Sequence, residues 1–149
     1  MSIDRFNVRV YGLLVQQGMV LLSHEVIAGR PYLKFPGGGL EYGEGPQDAV
    51  VREFMEEAQI RVRVARPVHI TGNFVQSAFR ANDQVLGLYY EVEAMDAIDF
   101  PTIAPAIDEV MRTGQQLYWA SLKEIGPDNL SFEIDRAALS AYLALISGC

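Results

Sequence analysis

"GGGLEYGEGPQDAVVREFMEEAQI", residues 37–60, decides how the rest of the 149-residue chain is read. Three glycines open it, Gly43 and Gly45 flank Glu44, and Arg52, Glu53, Glu56 and Glu57 lie near its end. The part from Pro46 to about Ala58 reads as a helix. Proline suits a first turn, where its missing N–H would be unpaired anyway, and Gly45 or Glu44 precedes it. At about 100° per residue, Val50, Val51, Phe54, Met55 and Ala58 fall on one arc and Arg52, Glu53, Glu56 and Glu57 on the opposite one. Glu53 and Glu57 stand one turn apart with Glu56 beside them, so three carboxylates project from one stripe just after a flexible loop. Like charges at that spacing repel, and the stripe costs stability unless a cation sits among them. Oxygen ligands at this density suit a hard divalent cation such as Mg²⁺ or Mn²⁺, its shell completed by water and substrate phosphate. The same residues also read as a solvated helix face with an Arg52–Glu56 pair.

Upstream, "RFNVRVYGLLVQQGMVLLSHEV" reads as two strands turning at Gln17-Gly18, and "RPYLKFPGGG" as a short extended piece stopped by Pro36 and the glycines. Downstream, residues 60–95 read as two or three strands with a turn near Ala81-Asn82-Asp83. Within "QVLGLYYEVEA", Leu86, Leu88, Tyr90 and Val92 alternate with Val85, Tyr89, Glu91 and Glu93, which predicts one packed and one partly polar face. "DAIDFPTIAPAIDEVMRTG" reads as a proline-interrupted connection or lid. "QQLYWASLKEIG" reads as a strand running into a helical turn, and "EIDRAALSAYLALI" as a closing amphipathic helix with Ile134, Ala138, Leu139, Tyr142, Leu143 and Ile146 apolar. Strands first, one central helix and one terminal helix predict an α+β domain with a mixed sheet between helices.

Composition narrows the function. A net charge of −7 disfavours broad capture of nucleic-acid polymers or anionic membrane, but a bound divalent metal can reverse the sign locally for a small phosphorylated ligand. A lone cysteine, Cys149, makes no internal disulfide; there is no secretory layout at the N-terminus and no apolar run of membrane-spanning length. A cytoplasmic protein is the expectation.

Gly38, five residues, Glu44, seven residues, then Arg52-Glu53-Phe54-Met55-Glu56-Glu57-Ala58-Gln59-Ile60 resembles the Nudix hydrolase signature G-x5-E-x7-R-E-U-x-E-E-x-G-U, where U is bulky and apolar. Six glycine or charged positions match in register. At about 7% usage per residue type, the chance of this is on the order of one in ten million per start point. "KFPGG" and "YWASLKEI" resemble the family's segments before and well after the box. One position departs: Gln59 stands where the family has the glycine that ends the helix.

The resemblance implies a single Nudix hydrolase domain over residues 1–149, folded as an α/β/α sandwich. It implies attack of water on a phosphorus of a nucleoside diphosphate linked to another moiety: a nucleoside triphosphate, nucleotide sugar or dinucleotide. By position in the box, Glu53, Glu56 and Glu57 would bind Mg²⁺ (or Mn²⁺), with Glu53 alternatively the general base. Arg52 would orient a glutamate, Glu44 would stand behind the ligands, and Gly37, Gly38 and Gly39 would let the loop approach the site. Glu91, Glu93 and Glu109 are candidates for a further ligand or base outside the box. Arg9, Arg30, Lys34 and Arg80 are candidates for phosphate contacts. Phe74, Phe79, Tyr89 and Tyr90 are candidates for stacking on a base, while Trp119, His24 and His69 read as structural.

The expected partner is a nucleotide-type small molecule, with neither nucleic-acid polymer nor membrane; a homodimer is compatible with the sequence. The alternative from another class is a catalytically silent nucleotide-binding regulator on the same fold. A diphosphate isomerase using a cysteine is disfavoured by the terminal place of Cys149, and an RNA-decapping enzyme by the acidic composition.

Overall fold

The computed structural model describes residues 2–148; Cys149 lies outside them. In chain order the elements are β1 (Arg5–Gln16), β2 (Met19–Ile27), β3 (Arg30–Lys34), β4 (Gly37–Gly39), α1 (Pro46–Ala58), β5 (Val62–Ile70), β6 (Asp83–Ala94), α2 (Ile107–Thr113), β7 (Gln115–Ser121), a 3-10 turn (Pro127–Asn129) and α3 (Glu133–Ile146). The β1–β2 hairpin turns where the sequence predicts. Gln17 and Gly18 both have positive φ, the backbone twist that a two-residue hairpin loop needs.

The long first strand organises a seven-stranded mixed sheet. It runs parallel to β6 from Arg5 to Leu14, pairs antiparallel with β4 on its other edge through Arg9–Tyr11, and joins β2 only at its end, at Val15 and Gln16. β2 then leaves it to pair with β3 and β7, while β5 closes the far side of β6. The strands therefore splay between β1 and β2. That opening is where α1 meets β4.

Alternation along β1 and β2 divides the apolar residues between two layers. Val10, Leu14 and Leu21 face α1, where Ala49, Val50 and Phe54 complete a core with Ile60, Val62, Val92 and Trp119. Tyr11, Leu13, Val20 and Leu22 face α3, where Ile134, Ala138, Leu139 and Tyr142 complete a second core. Gly12 permits the close seat of α1: a Cβ there would stand 2.3 Å from the Phe54 ring. The result is an α/β/α sandwich of the α+β class, as expected.

Two expectations need refinement. The partly polar face of β6 is polar only toward its end, where Glu91 and Glu93 bond to Arg66 and Arg63. Val85 and Tyr89 are buried toward α3, while Val92 is buried and Leu88 and Tyr90 pack toward α1, because a strand flanked by β1 and β5 is covered by a helix layer on each side. The proline-interrupted connection over residues 96–114 also contains a helix. Once past its prolines it forms α2, which has Val110 as its buried anchor.

α1 ends at Ala58 with Gln59 in the left-handed region, φ 56° and ψ 36°. The N–H of Gln59 donates to Met55 O at 3.1 Å and that of Ile60 to Phe54 O at 3.4 Å, so the helix exit keeps a glycine-type cap on a residue with a Cβ. Gln59→Gly is therefore expected to raise stability by roughly 1 kcal/mol with turnover unchanged. A urea midpoint that falls in the variant would contradict this account.

Candidate active site

The glycines at residues 37–39 build one wall. As β4 they pair with Tyr11, Val10 and Arg9, which brings bare backbone up against α1. A Cβ on Gly38 would stand 2.4–2.7 Å from the carboxylate of Glu53, and one on Gly37 would stand 2.1 Å from Val10 O. Only glycine leaves room for a carboxylate on one side and a strand on the other.

The helix wheel needs one refinement. Val51 and Met55, placed on the apolar arc, are exposed, whereas Glu53 and Glu57 keep only 13% and 14% of their side-chain surface. Val50 and Phe54 set the helix rotation, and Glu53 and Glu57 share their side of it. The two carboxylates consequently face β4 rather than open solvent, while Glu56, at 58%, stays outside.

Arg52 gathers the acidic groups. Its Nε and Nη2 donate to the two oxygens of Glu44 at 3.0 and 2.7 Å, and Nη2 also donates to Gly39 O at 3.0 Å. Its Nη1 reaches Glu53 at 2.9 Å, Glu56 at 3.1 Å and Glu41 at 3.2 Å. The forked guanidinium beside Glu44 holds that carboxyl below its usual range, and Glu44 in return makes Arg52 harder to deprotonate. Glu44 also accepts from Glu41 N at 2.9 Å, which ties the loop to the helix.

Glu57 is held separately. Its Oε2 accepts from Gly37 N at 2.7 Å and its Oε1 from Gln115 Nε2 at 3.0 Å, with Lys34 Nζ 4.0 Å away. Burial pushes the Glu57 carboxyl up; Lys34, the Gly37 amide and Gln115 pull it back. Gln115 also donates to the buried Ser23 Oγ at 2.8 Å, and Lys34 Nζ donates to Phe35 O at 3.0 Å. Sequence reasoning missed Gln115: it starts a strand 58 residues from Glu57, with no local pattern to mark it. It also missed Asp135, a fully buried carboxyl that accepts from Tyr89 Oη and Phe35 N and is pushed by burial to about 6. A signal existed for Asp135, because it lies in the i, i+3, i+4, i+7 stripe with Ala138, Leu139 and Tyr142.

In this arrangement Glu53 and Glu56 turn to Arg52, and Glu57 to Gly37 and Gln115. Among the described residues no three Asp, Glu, His or Cys side chains converge as metal ligands. The candidates outside the box are engaged elsewhere. Glu91 accepts from Tyr142 Oη at 2.5 Å and Arg66 Nε at 2.7 Å, Glu93 pairs with Arg63 at 2.6 Å, and Glu109 lies 3.9 Å from Arg112 on α2. Of the cation candidates, Arg9, Lys34 and Arg80 line one cavity, and Arg30 does not. Of the aromatic ones, Tyr89 is stacked on Tyr11 in the core, Phe74 and Phe79 are exposed, and Trp119 is buried as expected. No helix among the described residues is long and apolar enough to cross a membrane.

A family model described as the NUDIX domain matches residues 4–141. Among solved structures, the chain is similar to a NUDIX hydrolase from Nitrosomonas europaea, with a TM-score of 0.70 and 22% identity over 93% of this chain and 88% of that one. It is similar to a MutT NUDIX hydrolase from Burkholderia pseudomallei, with a TM-score of 0.69 and 20% identity over 93% and 98%. An ADP-ribose pyrophosphatase from Streptococcus suis aligns with a TM-score of 0.61 and 16% identity over 94% and 91%. At these identities the structural likeness speaks for the fold.

Proposed function

Because the chain belongs to the Nudix family, we propose that it is a Mg²⁺-dependent pyrophosphohydrolase cleaving a nucleoside diphosphate linked to another moiety. The observation that carries this reading is the inward pair Glu53 and Glu57, packed against backbone at Gly37 and Gly38 that has no room for a side chain. Two largely buried carboxylates are costly without a cation. Arg52 satisfies one oxygen of Glu53, while Glu57 has only neutral donors and a lysine at 4.0 Å.

The donor set fits a hard divalent ion. It is all oxygen, with no sulfur or imidazole in the cluster, and the bare Gly38 leaves the Glu53 carboxylate its place. Glu53, Glu56 and Glu57, which do not converge as they stand, would hold the ion by turning from Arg52, Gly37 and Gln115 toward one another; when bound it would neutralise phosphate charge and lower the pKa of a water molecule. The chain's own residues do the remainder. Arg52 orients Glu53 and Glu56 and anchors the loop through Glu44 and Gly39 O. The Gly37 amide and Gln115 fix the rotamer of Glu57. Glu53, where it is not a metal ligand, would accept a proton from the attacking water.

Turnover is expected to disappear in excess EDTA and to return with Mg²⁺ or Mn²⁺. The assay is a phosphate-release screen across nucleoside triphosphates, nucleotide sugars and dinucleotides. Undiminished turnover in EDTA would remove the metal from the mechanism. Tight nucleotide binding without turnover in any class would favour the regulator instead.

A further inference from the structure

Four polar side chains, Ser23, Glu25, Lys34 and Gln115, stand on one face of the β3–β2–β7 part of the sheet. Ser23 and Glu25 are two residues apart on β2; Lys34 lies opposite Ser23 on β3, and Gln115 opposite Glu25 on β7. Residues of a strand alternate between faces and directly opposed residues share one, so all four project the same way, toward α1. Gln115 joins Ser23 to Glu57. Lys34 makes a second connection to Glu57, this time from Glu25. Neither Glu25 nor Lys34 has a part in the proposed hydrolysis.

Lys34 is nearly sealed from water, with 5% of its side chain exposed, a state rare for lysine unless it is paired. Its carboxylate partners nevertheless hold it loosely. Nζ donates to Phe35 O at 3.0 Å, but stands 3.6 Å from Glu25 Oε1 and 4.0 Å from Glu57 Oε1. A charge-assisted bond to one carboxylate would close to about 2.7–2.9 Å. The ammonium hangs between the two, locked to neither. Glu25 keeps 33% of its side chain exposed and Glu57 only 14%, so Glu57 depends more on a neighbouring cation. Arg52 does not supply one, being turned to Glu41, Glu44, Glu53 and Glu56.

We propose that Lys34 is a positioning residue, the counter-cation of Glu57 while the site is empty, and that Glu25 takes over the ammonium when Glu57 turns to a metal. Without Glu25, that turn would leave a buried ammonium with a single carbonyl oxygen. Without Lys34, Glu57 would reach a metal with no cation to leave behind. The empty site thereby keeps Glu57 facing β4, at a cost in metal affinity. The exchange rests on the reading of Glu57 as a metal ligand; the pairing of Lys34 with Glu57 does not.

The test is a Mn²⁺ titration of the intact protein without nucleotide, read by loss of the free-ion EPR signal. Lys34→Met keeps the length and removes the charge; it should tighten Mn²⁺ binding by about threefold or more, because a like charge near the ion is gone. Glu25→Gln should weaken binding by about threefold or more, because Lys34 is then left with Glu57 alone. Added to Lys34→Met, Glu25→Gln should change little, since it acts through the ammonium. A purely structural role would not give opposite shifts that vanish in combination. In EDTA, Lys34→Met should lower the melting temperature, and lower it less in a Glu57→Gln background. Equal lowering in both backgrounds, or Mn²⁺ affinity that Lys34→Met leaves unchanged or weakens, would overturn the proposal. Glu25→Gln, at a partly exposed residue, reads it even where Lys34→Met does not fold: unchanged or tighter Mn²⁺ binding overturns it too. A wild type that binds no Mn²⁺ would refute the metal reading and the exchange together, whereas one that binds Mn²⁺ with these shifts but hydrolyses nothing would refute only the hydrolase reading.

Discussion

Glu57→Gln is expected to lower kcat by at least about a hundredfold, the scale of losing a metal ligand or an essential base. Glutamine keeps the length and the acceptor for Gly37 N, so the rotamer and the fold should survive. It removes the anion and, with its oxygen kept on Gly37 N, sets its NH2 against Gln115 Nε2, which then lacks that acceptor. The comparison variant is Glu91→Gln. Glu91 accepts from Tyr142 Oη and Arg66, bonds that join β6 to α3 and β5, so its neutralisation should lower the melting temperature and leave turnover within about tenfold of wild type. Steady-state rates across a Mg²⁺ titration decide the matter. A nearly wild-type Glu57→Gln beside an inactive Glu91→Gln would move the catalytic centre from α1 to β6.

Arg52→Lys should produce the second largest loss, about ten- to a hundredfold in the apparent affinity for Mg²⁺, with part of kcat recovered at high Mg²⁺. A lysine has one ammonium on a flexible stem. It cannot hold both oxygens of Glu44 and reach Gly39 O, Glu53 and Glu56 at once, as the planar guanidinium does. Glu53 and Glu56 would then repel each other without a fixed partner. Recovery with added metal is what separates a positioning group from one that touches the reacting atoms. A loss of kcat indifferent to Mg²⁺ concentration would argue that Arg52 contacts substrate directly.

Much of this architecture was legible because its determinants are local. Pro46 and the apolar spacing marked α1 from Pro46 to Ala58, and the stripe from Ile134 onward marked α3. Gln17-Gly18 marked the hairpin because a tight turn depends on two residues alone. Other features depend on what lies across the sheet. Nothing in "QVLGLYYEVEA" says that a helix covers its second face, so the burial of Val85 and Tyr89 could not be read from alternation alone. α2 has seven residues and follows a run of prolines, too short a window for a period to emerge.

Within the site the division is the same. The order and spacing of Gly38, Glu44, Arg52, Glu53, Glu56 and Glu57 were sufficient to point to the family and its chemistry, because that pattern is carried by one loop and one helix in continuous chain. Which way the helix turns was decided by tertiary packing. Val50 and Phe54 dock on β1 beside Gly12, and that contact rotates Glu53 and Glu57 inward while leaving Val51 and Met55 in solvent. Gln115, Lys34 and the buried Asp135 reach the site region from β7, β3 and α3. Their roles arise only when distant strands close over the opening between β1 and β2, because a hydrogen bond between residues far apart in the chain leaves no periodic trace in it.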